Sequence, residues 1–170
     1  PVGLGRVVRL PKHLALKDFA PRVFDEVSDH VMTSALGIQV CGDSDTFVQF
    51  VSILPGSGDS LFNEVRATGA DVYVTSDLRH HPVTDAIEQA RYEARMRSQG
   101  IMLGHGMAGE SHVRPCFINT PHASIESLWF NKAIVDVPAA IEQATGARPE
   151  VEWFHDTIDP WTLSITAHRD

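Results

Sequence analysis

The stretch Gly69-Ala70-Asp71-Val72-Tyr73-Val74-Thr75-Ser76-Asp77-Leu78-Arg79-His80-His81-Pro82 decides the fold. Gly69 closes a short helical pattern, as a glycine just past a helix end does. The β-rich run 71–75 is too short for a helix and predicts a strand. Residues 76–82 form a polar loop leaving that strand. Pro82, suited to a helix start, opens a polar-faced helix over 82–98.

The pattern repeats upstream. Phe47 to Leu54 is an apolar β-rich run stopped by Pro55, followed by Gly56-Ser57-Gly58-Asp59-Ser60 and the helical spacing of Leu61, Phe62, Val65 and Ala67. Strand, glycine loop, helix, strand, loop, helix is the signature of an α/β fold with a largely parallel or mixed sheet and helices packed on it. In such sheets functional loops lie beyond the C-terminal strand ends. Further out, residues 5–10 predict a strand ended by Pro11. Leu16, Phe19, Ala20, Val23, Phe24 and Val27 predict a helix over 16–31, with Pro21 near its start or kinking it. Residues 37–41 predict a strand before a turn. Downstream come an irregular, glycine-rich insertion over about 100–115, a strand at 116–119, and a helix from about 124 to 145 interrupted at Pro138. Strands are expected at 150–154 and 161–165. All 170 residues are expected to form one α/β domain.

Composition narrows the class. With 43% hydrophobic and 21% charged residues the chain is globular in character, and its net charge of −8 without a Lys/Arg cluster disfavours a nucleic-acid binder. No apolar run reaches the roughly 18 residues needed to span a bilayer, and no secretory signal is visible, so a cytoplasmic location is expected. Cys41 and Cys116 are not in a C-x-x-C arrangement and read as reduced thiols. Nine histidines are many for this length, and six fall between His80 and His155.

Three local patterns carry chemistry. In Thr120-Pro121-His122-Ala123-Ser124-Ile125-Glu126, an imidazole leaves a strand and a carboxylate follows four residues on, at a helix start. That pair suits zinc, iron or manganese; a capping or surface pair is the plainer alternative. His80 and His81 leave the strand at 71–75, and Asp77 is placed to orient one of their rings; the alternative is that they flank the next helix. The Gly56–Ser60 loop can aim backbone N–H groups at an anion, though it lacks the Gly-Lys-Ser/Thr ending of a Walker loop and alone is equally a tight turn.

Taken in order, these segments resemble the second half of the Nif-three-like family, the GTP cyclohydrolase 1 type 2 homologs, and in particular its actinobacterial members. The resemblance runs from about Gly3 to Trp161 and is most specific over Gly56 to Pro82. It departs from the family's G-H-x-x-T/S-E ending, because Pro121 precedes the histidine and Ser-Ile-Glu leads into the carboxylate. Gly104-His105 imitates that ending, but its carboxylate, Glu110, falls five residues on, so His122 and Glu126 are preferred. The resemblance implies two divalent metals (Zn, Fe or Mn) per complete site, about 3.5–4 Å apart, with a His-His pair and an aspartate supplied by a first half upstream of Pro1. A chain beginning Pro1-Val2-Gly3 is accordingly expected to be a C-terminal portion that holds metal weakly or not at all.

On that resemblance His122 and Glu126 hold metal, His81 shuttles a proton as a catalytic residue, Asp77 and His80 stand beside the metals, and Gly56, Ser57 and Gly58 seat the phosphates of a nucleotide substrate. The implied reaction is hydrolytic opening of the GTP imidazole ring with release of formate. The implied assembly is a homo-oligomer, a hexameric ring at full length. The rival readings are a metal-binding regulatory or scaffold protein without turnover, and an inert domain with an incomplete site.

Overall fold

Val72, Tyr73 and Val74 alternate between two hydrophobic cores, one on each face of a five-stranded sheet. Successive strand side chains point to opposite faces, so a strand between two cores is apolar where it meets them, and its buried polar residues, Thr75 and Ser76 here, are hydrogen-bonded. The computed structural model describes residues 3–28, 37–101, 113–152 and 159–165. Its strands are β1 (Arg6–Ala15), β2 (Gln39–Cys41), β3 (Phe47–Ser57), β4 (Val72–Ser76) and β5 (Cys116–Thr120), in the spatial order β1-β3-β4-β5-β2. The β3–β4 and β4–β5 ladders are parallel, whereas β1 and β2 close the two edges antiparallel. The sheet is therefore mixed.

Helices α1 (Leu16–Ser28) and α4 (His122–Thr145) cover one face, where Leu16, Phe19, Ala20 and Ile125 pack on Val48, Val51, Val72, Val74, Cys116 and Ile118. Helices α2 (Phe62–Ala67) and α3 (His80–Ser98) cover the other, where Val65, Phe62, Val83 and Ile87 meet Leu54, Tyr73 and Phe117. Each fully buried Val or Ile contributes about 1.5–3 kcal/mol relative to exposure. Asp71, buried at the entrance to β4, accepts the backbone N–H groups of Gln49 and Phe50, each at 2.8 Å, and its other oxygen meets Arg114 Nη1 at 2.5 Å. The acidic residue of the Gly-Ala-Asp stretch thus fixes the start of β3 against β4.

The structure corrects several sequence-derived boundaries, and prolines explain most of them. Pro11 does not end β1. It falls where the β1–β3 register slips between Arg9 and Leu14, on an edge strand, where no ladder needs its missing N–H. Pro55 likewise sits in the slip between Ile53 and Ser57, and β3 continues to Ser57. Helix α3 begins at His80, two residues before Pro82, so the proline occupies the first turn, whose amides lack intrahelical partners anyway. Helix α4 begins at His122 and runs through Pro138 to Thr145, ending on Gly146 in the left-handed conformation. The strands expected at 150–154 and 161–165 do not form among the described residues there; a β-rich segment becomes a strand only when a ladder accepts it. Most of the 100–115 insertion, with His105 and Glu110, lies outside the described residues.

Candidate metal centre

Parallel strands β4 and β5 end side by side, with Ser76 opposite Thr120, and the chain leaves each of them toward the same rim. The residue after β4 is Asp77, and two residues past β5 comes His122 in the first turn of α4. Asp77 Oδ2 lies 2.6 Å from His122 Nδ1. One turn along α4, Glu126 Oε1 lies 3.0 Å from His122 Nε2. The helical i,i+4 relation brings the second pair together, while sheet register brings the first.

With a carboxylate at each nitrogen, the ring is best satisfied as an imidazolium donating from both. Its pKa is accordingly raised, chiefly by the hydrogen bond to Asp77 and then by the charge of Glu126, against a smaller opposing effect of burial. The three side chains are 43% (His122), 48% (Glu126) and 52% (Asp77) exposed, so the group is open to solvent. It borders a cleft of about 390 Å³ walled by Gly37, Gln39, Asn119, Pro160 and Trp161.

Asp77 has φ +54°, the left-handed region, and no other non-glycine residue described does so. Aspartate tolerates this region better than most residues, at a cost of about 1 kcal/mol. Such a conformation persists only where the surroundings hold it.

The glycine loop closes the third side. Gly56 has φ +89°, strained for any side chain, and a Cβ there would stand 3.0 Å from Glu126 Oε1, which would have to give way. Its carbonyl accepts the hydroxyls of Thr75 (2.9 Å) and Ser76 (2.8 Å), both buried. Gly58 is tied still harder to β4: its N–H donates to the Ser76 carbonyl (3.2 Å), its carbonyl accepts from Tyr73 Oη (3.2 Å), and a Cβ there would lie 2.2 Å from Thr75 Oγ1. The Gly58 N–H is thus committed within the fold. Ser57 pairs with Ser76 at the end of the β3–β4 ladder. Asp59 fastens the loop to the far side by accepting the Arg79 N–H at 3.2 Å and pairing with the Arg79 guanidinium.

The structure therefore brings together His122, Glu126, Asp77 and Gly56. His80 and His81, exposed in the first turn of α3, stack edge to face with ring centroids 5.3 Å apart. His80 lines a different cleft with Arg79, Val83 and Phe117, and neither histidine walls the cleft beside His122. Asp77, expected to orient His80 or His81, is bonded to His122 instead. Sequence reasoning missed Asn119, Gln39 and Trp161; only Asn119, on β5 three residues before His122, carried a positional hint. Cys41 and Cys116 are free thiols whose pKa values burial pushes up.

The donor set fits one part of a metal centre. His122 Nε2 and Glu126 Oε1 face each other at 3.0 Å, and Asp77 holds the other ring nitrogen, as carboxylates do behind metal-bound imidazoles. Among the described residues, however, no group of three His, Cys, Asp or Glu side chains is disposed to hold a metal ion.

The chain is similar to several known proteins. The protein from Mycobacterium tuberculosis named GTP cyclohydrolase 1 type 2 homolog is 41% identical over 168 residues, covering 99% of this chain and 36% of that protein. The Streptomyces coelicolor protein of the same name is 45% identical over 84 residues, covering 49% of this chain and 28% of its own length. The chain thus spans about a third of the length of these relatives. The crystal structure of a Bacillus cereus protein related to NIF3 superposes with a TM-score of 0.69 over 95% of this chain and 36% of that one, at 21% identity, and so shares the fold. The family model for Duf34/NIF3 (NGG1p interacting factor 3) matches residues 1–145, which take in every strand and helix described above, and the chain belongs to that family.

Proposed function

We propose that this chain contributes His122 Nε2 and the Glu126 carboxylate to a divalent-metal centre (zinc, iron or manganese) of a hydrolase of the GTP cyclohydrolase type, completed by ligands from outside these residues. The observation that carries this reading is the 3.0 Å approach of Nε2 to Glu126 while Nδ1 is held by Asp77 at 2.6 Å. A divalent cation of this kind, when bound, supplies Lewis acidity toward water and an electrophilic centre. With a cation bound, Nε2 would give up its proton, and Asp77 would keep the remaining one on Nδ1, leaving the Nε2 lone pair free to be a ligand. Glu126 supplies the second donor and an acceptor for a proton from water. Gly56 leaves the space those two side chains occupy. Trp161 and Pro160 line the adjoining cleft, where a planar nucleotide base is proposed to lie.

This chain is proposed to be the C-terminal portion of a homo-oligomeric protein, hexameric at full length, with exposed His81 relaying protons through solvent to a cleft that it does not itself wall. The metal-loaded, full-length protein is expected to release formate from GTP, and His81→Ala to slow that release. Turnover no higher than background with metal bound removes the cyclohydrolase reading.

A second reading, a metal-binding scaffold without turnover, is favoured by the apolar surface of α4, where Trp129 and Val135 are 57% and 60% exposed. Patches of this kind mark interaction surfaces. Under that reading His81→Ala leaves partner capture intact. Among the described residues no helix is long and apolar enough to cross a membrane.

A further inference from the structure

The left-handed conformation of Asp77 needs a restraint, and the contacts supply one. The orientation of the peptide between Asp77 and Leu78 sets the Asp77 ψ angle. That peptide's N–H donates to Asn119 Oδ1 at 3.0 Å. Asn119 cannot turn its amide over without facing the Leu78 N–H with its own NH₂ group. Its Nδ2 donates to Gln39 Oε1 at 2.9 Å, and Gln39 is the residue opposite Asn119 in the β2–β5 ladder. The amide pair therefore runs from the edge strand, across the end of β5, to the turn that follows β4. Asn119 and His122 stand three residues apart on one segment, so the Asp77 turn is fastened to it twice, once through backbone and once through the carboxylate.

We propose that Asn119 is a positioning residue, holding Asp77 left-handed so that its carboxylate meets His122 Nδ1 and fixes the imidazole with Nε2 toward Glu126. Asn119 touches neither reacting atoms nor metal in this account; it acts through Asp77. The consequence for metal binding rests on the proposed function, but the restraint itself does not.

The test is nuclear magnetic resonance on the ¹⁵N-labelled chain and two variants, at a pH where the imidazole is neutral. In the unmodified protein the Leu78 amide is expected to exchange slowly and the His122 ring nitrogens to show a single Nδ1–H tautomer. Asn119→Ala is expected to speed Leu78 exchange by about tenfold or more and to convert His122 to the mixed tautomer pattern of a free imidazole. Asn119→Asp keeps the acceptor, with Gln39 turning its amide to donate, and is expected to preserve both signals. A merely structural asparagine would lower the urea midpoint in Asn119→Ala and leave the His122 tautomer as it was. That result, or an Asn119→Asp variant behaving like Asn119→Ala, overturns the proposal. Both signals are read without metal, so the test of Asn119 stands or falls separately from the metal centre.

Discussion

Asp77 and His122, separated by 45 residues in the chain, meet at 2.6 Å because β4 and β5 are parallel neighbours that end in register. The carboxylate raises the imidazole pKa, and the hydrogen bond is its largest cause. Asp77→Asn keeps the shape and removes the charge. The His122 pKa, followed by its ring-proton shifts, is expected to fall; an unchanged value would place the cause elsewhere.

The same shift fixes a pH dependence. His122 titrates higher in the folded chain than in the unfolded one, so its contribution to stability is fully present below the unfolded imidazole pKa and disappears as pH rises through the folded value. Exposure of the ring keeps the effect small. Urea midpoints of the unmodified chain and of His122→Gln are expected to differ more at about pH 5.5 than at about pH 8.5.

Gly56 and Gly58 fail differently when changed to alanine. At Gly56 the φ of +89° and the 3.0 Å approach to Glu126 Oε1 strain the backbone and push aside an exposed carboxylate. At Gly58 the new methyl meets buried Thr75 and the Tyr73 hydroxyl at 2.2 and 2.6 Å, which must move. Gly58→Ala is expected to lower stability by about 1–3 kcal/mol through overpacking. Gly56→Ala is expected to cost about 1 kcal/mol and to separate Glu126 from His122. Denaturant midpoints measure both, and a crystal structure of Gly56→Ala shows the separation.

Asp71→Ala removes the acceptor of two part-buried β3 amides and the buried carboxylate facing Arg114. A loss of about 3 kcal/mol is expected, with the Asp77–His122 contact kept in whatever fraction stays folded. Equal stability would mean that the carboxylate does not anchor β3.

The fold was legible because the central strands announce themselves: Val72 to Ser76 and Cys116 to Thr120 are buried nearly throughout, and apolar runs of that length have few other uses. Edge structure was less legible. Pro11 and Pro55 look like strand ends in isolation, yet each lies in a register slip that only the partner strand reveals. His122 and Glu126 could be found from their spacing, since one helical turn is written in sequence. The partner of Asp77 could not, because parallel register across 45 residues leaves no local trace, and proximity in sequence favoured His80 and His81. Asn119 stayed hidden for the same reason: its acceptor role depends on a backbone N–H contributed by another strand's exit.

The central claim is that His122 and Glu126 converge on a cation. Zinc titrated into the labelled chain, with every histidine and glutamate signal followed, tests it most directly. Shifts that begin at His122 and Glu126 and vanish in His122→Ala are the predicted result. Zinc that moves His13, His80 or His81 while His122 and Glu126 stay still, up to saturating metal, contradicts it.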